Sequence, residues 1–96
     1  MAAYLITDIK VSDLEKYKAY QALTPGAIAA AGGEFLVRGG RTEILEGDFD
    51  LGRVVVLRFD TMEAARAFYT SAGYLAARAA RAGATERFNM FIVEGL

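Results

Sequence analysis

The side chains able to do chemistry in this chain are few. It has five tyrosines, eleven lysines and arginines and twelve aspartates and glutamates, but no histidine and no cysteine. Thiolate nucleophiles, disulfides and Cys/His zinc sites are thereby excluded. So are the imidazole base of a Ser-His-Asp triad and haem held by an axial histidine. Any acid–base work must fall to Asp, Glu, Lys, Arg or Tyr.

Three groupings remain. Tyr17, Tyr20, Tyr69 and Tyr74 are polar-tipped aromatics that can line a cavity and donate hydrogen bonds, or serve as core residues with the hydroxyl at the rim. Arg38-Gly39-Gly40 can set a guanidinium beside flexible backbone and clamp a carboxylate, or be a strand arginine paired with Glu43 or Glu46 next to a glycine bulge. Asp8, Arg58 and Asn89 interrupt otherwise apolar runs, either as an ion pair at an interface or as groups pointing into a cavity; the interface is the better reading. The pairs Gly32-Gly33 and Gly39-Gly40 match neither G-x-G-x-x-G nor a Walker A loop and read as a helix stop and a bulge.

The elements that must position these groups follow from local patterns. Ala3 to Ile9 is a β-branched and aromatic strand. Ser12 with Glu15 is a capping box that predicts a helix carrying Leu14, Tyr17, Gln21 and Ile28 near one face, with Tyr20, Leu23 and Ala27 beside it. Pro25 predicts a kink or break near Thr24, and Gly32-Gly33 the helix end. Glu34 to Arg38 reads as a second strand, continued after a bulge by Arg41 to Glu46, with a hairpin loop at Gly47 to Gly52. Arg53 to Phe59 is the clearest strand. Asp60 and Glu63 then form a second capping box, opening a helix that Ser71-Ala72-Gly73 interrupts and Gly83 ends. Arg87 to Val93 is the last strand.

The order β-α-β-β-α-β predicts a ferredoxin-like α+β domain over residues 1–96, an antiparallel sheet with its helices on one face. Ninety-six residues suit one domain, with a feasible but thin core. The charges sum to −1 and alternate in sign, so no basic stripe is offered to nucleic acid and no polybasic patch to a membrane. The third strand has valines where RNA-recognition modules carry stacking aromatics. The first ten residues form neither a signal peptide nor a span, so a cytoplasmic protein is expected.

Both faces of three strands are largely apolar. Tyr4 and Ile6 alternate with Leu5 and Ile9, Val54 and Val56 with Val55 and Leu57, and Phe91 and Val93 with Met90 and Ile92. The helices can cover one face only, and the other exceeds what a soluble monomer usually exposes. A homodimer through the sheet is therefore expected.

Over nearly its whole length the chain resembles the domain-of-unknown-function family numbered 1330, in the dimeric α/β-barrel superfamily. The resemblance is carried by Tyr4, the Pro25 helix, Gly32-Gly33, the run Phe35-Leu36-Val37-Arg38-Gly39-Gly40, and Leu45-Glu46-Gly47. It continues through Arg53-Val54-Val55-Val56, Phe59, Ala64-Ala65, Phe68-Tyr69, and Ser71 with Tyr74. It implies a ferredoxin-like monomer, a barrel-like dimer of two sheets and a small cavity between sheet and helices. The family commonly shows Ser-Pro-Glu-Tyr where this chain has Ser71-Ala72-Gly73-Tyr74, so a role of that glutamate would be missing here.

Two functions are compatible with these residues. One is a dimer that binds a small, mostly apolar molecule without a cofactor or metal. The other is a cofactor-free enzyme, oxygenase- or isomerase-like, acting on a small aromatic or oxo-acid compound. The first is favoured because no acid–base pair stands out. In either case Tyr17, Tyr20 and Tyr69 are expected on the cavity walls and Arg38 near the mouth.

Overall fold

The computed structural model describes residues 1–96. The chain runs β1 (Ala3–Val11), α1 (Leu14–Ala30), β2 (Glu34–Arg38), β3 (Arg53–Phe59), α2 (Met62–Tyr69), α3 (Ala72–Ala80) and β4 (Thr85–Glu94). The four strands form one antiparallel sheet in the order β2-β3-β1-β4. This is the ferredoxin-like α+β fold, with its second helical segment in two pieces.

Register decides which side chains meet the helices. Leu5 pairs with Leu57 and Ile92, Thr7 with Val55 and Met90, and Ile9 with Arg53 and Phe88. Because strand side chains alternate, these residues share the helix-covered face. Ala3, Leu5, Thr7, Ile9, Leu57 and Phe59 are buried there. From the helices, Tyr17, Tyr20, Ala27, Ile28, Ala65, Phe68, Tyr74 and Ala77 complete the core. The opposite face carries Tyr4, Ile6, Val54, Val56, Phe91 and Val93, and no element of the chain covers it. Phe91 is 56% exposed and Val93 46%.

Several elements begin or end elsewhere than the local patterns predict. Helix α1 is capped by Asp13, whose carboxylate accepts from the Lys16 amide at 3.2 Å, and not by Ser12. The backbone amides of Ser12 and Asp13 are both taken by the Ala84 carbonyl, at 2.9 and 3.0 Å, which delays the helix by one residue. Likewise Thr61 caps α2 by accepting from the Ala64 amide, while Asp60 accepts from Arg58 at 3.0 Å.

The helix does not break at Pro25. Proline removes only the hydrogen bond to the Gln21 carbonyl, and α1 runs through it to Ala30. Buried Tyr17, Tyr20, Ala27 and Ile28 lie on both sides of the proline, so packing against the sheet outweighs one lost bond. The Thr24 hydroxyl donates to the Tyr20 carbonyl at 2.6 Å in the same turn. Leu14 and Leu23, read as part of the apolar side of this helix, are exposed instead. The helix does stop at Gly32, whose φ of 78° allows the Gly33 amide to reach the Ile28 carbonyl and the Gly32 amide to reach that of Ala29.

Strand β2 ends at Arg38, and Arg41 to Glu46 do not continue it. The bulge lies between Phe35 and Val37, earlier than the glycine pair. At Gly39, φ is 67° and the amide donates to the Val54 carbonyl, which turns the chain off the sheet. Only Arg53 of β3 lies beyond that point, and residues 39–52 form a long, mostly exposed connection.

Its return is pinned at the end of the open face. Asp8 accepts from the Gly52 amide at 2.7 Å and from the Arg87 guanidinium at 2.9 and 3.1 Å. Asp50 accepts from Lys10 and Arg87. The Arg87 hydrogen bonds hold the Asp8 carboxyl below the usual carboxylate range. Asp8 and Arg58 share this face but do not pair, since Arg58 lies beside Asp60 and Glu34. Both point away from the helix side of the sheet.

Candidate functional site

The gap between α1 and the sheet is a partly open cavity of about 40 Å³. Its apolar walls come from Leu5 and Ile9 of β1, Leu57 of β3, Ile28 of α1 and Phe68 of α2. Its polar lining is Thr7, Tyr17, Tyr20, Gln21, Thr24, Arg38, Arg53 and Tyr74, with no carboxylate among the lining residues. Pro25 contributes its ring to the wall of a continuous helix.

Of the residues singled out in the sequence, Tyr17, Tyr20 and Arg38 meet at this cavity. Tyr17 and Tyr20 are three apart on α1, and their ring centroids lie 5.6 Å apart. Arg38 is exposed at the end of β2 and lays its guanidinium 4.4 Å from the Phe35 ring centroid. Tyr69 does not line the cavity. It sits one residue past buried Phe68, on the side of α2 turned toward β4, and is 36% exposed.

Tyr74 takes the inner place and is fully buried, its hydroxyl 2.8 Å from that of Tyr20. Burial pushes the Tyr20 phenol far above the ordinary tyrosine value, and the adjacent Tyr74 hydroxyl pushes the same way. Burial likewise raises Tyr17, while nearby Arg53 pulls it partly back. Both phenols stay protonated at neutral pH and act as hydrogen-bonding groups, not as bases.

The hydroxyl pair gives a measurable expectation. Tyr20→Phe or Tyr74→Phe alone leaves one buried hydroxyl without its partner and should cost about 1–3 kcal/mol. The double variant removes both groups and should cost less than the sum. Urea denaturation of the four proteins checks this, and additive losses would mean that the two hydroxyls do not depend on each other.

Arg53 is the residue that sequence reasoning missed. It begins β3, faces the helices opposite Ile9 and lines the cavity. Its guanidinium lies over Gly39, where a Cβ would collide with it. Its Nε is buried without a hydrogen-bond partner, and no carboxylate lies within ion-pair distance. Alternation along β3 could have found it, since Arg53 shares a face with Val55 and Leu57. An arginine on a core-facing position next to Arg38-Gly39 was the available signal.

This cavity can receive a negative charge but is poorly equipped to move a proton. Two arginines line it, burial holds the protons on Tyr17 and Tyr20, and it has no carboxylate. Its volume of about 40 Å³ admits on the order of two or three waters.

Several solved structures share the fold. A protein of unknown function from Rhodopseudomonas palustris is 17% identical, with a TM-score of 0.77, over 99% of this chain and 82% of that one. A protein of unknown function from Bacteroides fragilis, described as dimeric and ferredoxin-like, is 17% identical with a TM-score of 0.61, over 98% and 96% of the two chains. SnoaB from Streptomyces nogalater, described as a cofactor-independent oxygenase, is 17% identical with a TM-score of 0.68, over 99% and 93%. At such identities the likeness extends to the fold alone. No curated protein matches the chain. The sequence model of the domain of unknown function DUF1330 matches residues 2–96, and the chain therefore belongs to the DUF1330 family.

Proposed function

We propose that this protein is a homodimer that binds a small, mostly apolar carboxylate in the cavity between sheet and helices. Arg53 and Arg38 receive the carboxylate, and Tyr17 and Tyr20 form the wall against the apolar body. The observation that carries this reading is the Arg53 guanidinium, held at the cavity with a buried, unpartnered Nε. A buried polar group normally has a partner, and a carboxylate is the ligand whose geometry fits a guanidinium fork.

Pairing through the open sheet face is supported by its exposed apolar side chains and by the dimeric description of the Bacteroides fragilis protein. A cofactor-free oxygenase, as SnoaB is described, is the alternative. It would need a group able to take a proton from its substrate, and neither the protonated phenols nor the arginines of this cavity supply one. Binding is thus the better-supported role.

Entry requires the rim to move, because the cavity is far smaller than the roughly 300–1,000 Å³ of ordinary small-molecule sites. Arg38 stacked on Phe35 is the exposed part of the wall and the part free to swing. Titration with acetate and then benzoate, followed by amide NMR, tests the reading. Shifts should centre on Ile9, Tyr17 and Arg53. Arg53→Gln and Arg38→Gln should each weaken benzoate binding about tenfold or more, since a hydrogen bond to a charged group contributes roughly 1.5–3 kcal/mol. Binding unchanged in both variants would refute the assignment.

A further inference from the structure

A second concavity, of about 340 Å³, opens between α2, the residue after α3 and β4. Its size falls within the usual range for small-molecule sites. Arg66 and Arg81 are its only charged lining residues. Neither has an acidic partner within ion-pair distance. The Arg81 guanidinium is held 3.7 Å from the centroid of the Phe88 ring, and its Nε is buried without a hydrogen-bond partner. The unpartnered Nε and the missing acid also mark Arg53 in the cavity.

Cavity and groove are not remote from each other. Leu5 and Met90 line both. The tyrosine rings run from one to the other in a continuous row. Tyr17 lies 5.6 Å from Tyr20, Tyr20 lies 6.0 Å from Tyr74, and Tyr74 lies 5.8 Å from Tyr69 in the groove. Tyr20 also meets Phe88 edge-on at 5.9 Å, and Arg81 lies 5.7 Å from the Tyr20 ring. The partition is thus one side chain thick. Of its two shared residues Leu5 is fully buried between β3 and β4, whereas Met90 is half-buried on the edge strand. Met90 is unbranched, has three side-chain torsions and repacks at little cost.

We propose that cavity and groove are two compartments of one site divided by Met90, and that an aromatic carboxylate too large for the cavity seats its rings where Met90 swings aside and its carboxylate on Arg81. This rests on the binding role proposed above and changes its substrate class, from a small carboxylate to a bicyclic or similarly extended aromatic acid. The extended ligand has its charge at the groove end, whereas a small one has it on Arg53.

The probe is 2-naphthoate, compared with benzoate by amide NMR on the full chain. With 2-naphthoate, shifts should appear in both compartments, at Ile28 and Tyr17 as well as Arg66 and Phe88. Arg81→Gln should weaken 2-naphthoate about tenfold or more and benzoate far less, while Arg53→Gln should weaken benzoate more than 2-naphthoate. Met90→Ala should tighten 2-naphthoate several-fold by removing the partition. Met90→Leu, which keeps the volume with a stiffer side chain, should weaken it. Circular dichroism identifies any variant that has lost the fold, and the remaining ones decide the matter.

Shifts from 2-naphthoate confined to one compartment, or an Arg81→Gln protein that binds it as the wild type does, would overturn the proposal. Benzoate binding that still depends on Arg53 would then leave the simpler function standing. A groove closed in solution by the partner of the dimer, seen as intermolecular contacts to Arg66 and Tyr69 with no acid bound, would also overturn it. If neither acid binds anywhere, both proposals fall together.

Discussion

Val56→Asp is expected to convert a dimer into a monomer of 10.4 kDa. Val56 sits on the open face between Ile6 of β1 and Val37 of β2, flanked along its own strand by Val54. This face exposes Phe91 and Val93 to water in the isolated chain. Contiguous apolar surface of this kind is unusual on a monomer, and burying it against a second copy gains about 25 cal/mol per Å². A carboxylate at the centre of that contact would be desolvated, and the nearby cations of the face already have acidic partners, Arg58 with Asp60 and Arg87 with Asp8. The helix-covered core is untouched, so the variant should fold. Sedimentation at micromolar concentration should show the wild type at twice the chain mass and the variant at once. A monomeric wild type, or a variant that stays dimeric, would refute sheet-to-sheet pairing.

The largest effect on stability is expected from Phe68→Ala. Phe68 is 1% exposed, with its ring centroid 5.3 Å from that of Phe59 and 4.6 Å from that of Tyr74. Removing a buried phenylalanine costs about 3–5 kcal/mol, from lost transfer energy and from the void left behind. Domains of this size have only about 5–15 kcal/mol in total, so the melting temperature should fall by well over 10 °C. Phe68 also lines the cavity, so the void would join the space already there. The enlarged, mostly apolar chamber should take up benzene more tightly than the wild type does. The neighbouring Tyr69→Ala is the control. Tyr69 is 36% exposed, and its loss should cost less than half as much. Urea denaturation of the two variants measures both. A loss below about 1 kcal/mol for Phe68→Ala would mean that the core relaxes around the gap.

The site was partly legible for a physical reason. Tyr17 and Tyr20 lie together at the cavity because helical spacing alone puts residues three apart on one face. Arg38 reaches the same cavity because it ends the strand beside β3. Tyr69 looked equivalent to them, but the residues on either side of it in space were set by how α2 docks. The core took Phe68, and Tyr69 was left facing the groove. Arg53 was passed over because a strand arginine reads as a surface residue until the register places it opposite Ile9.

What the sequence by itself determined is whatever depends on near neighbours. Alternation and helical spacing marked the strands, the helices, their order and hence the ferredoxin-like fold, and composition removed histidine and cysteine chemistry. Most of the contradicted details depended on distant residues. The Ala84 carbonyl moved the start of α1 from Ser12 to Asp13, and packing on the sheet carried α1 through Pro25. β3 begins only at Arg53, so Arg41 to Glu46 have no strand to pair with, and the β1–β3 register set Asp8 opposite Val54, four residues from Arg58 and within reach of Arg87. Only tertiary structure could decide these, because a backbone amide or a charged group takes whichever partner the whole fold brings nearest, and sequence separation does not record that distance.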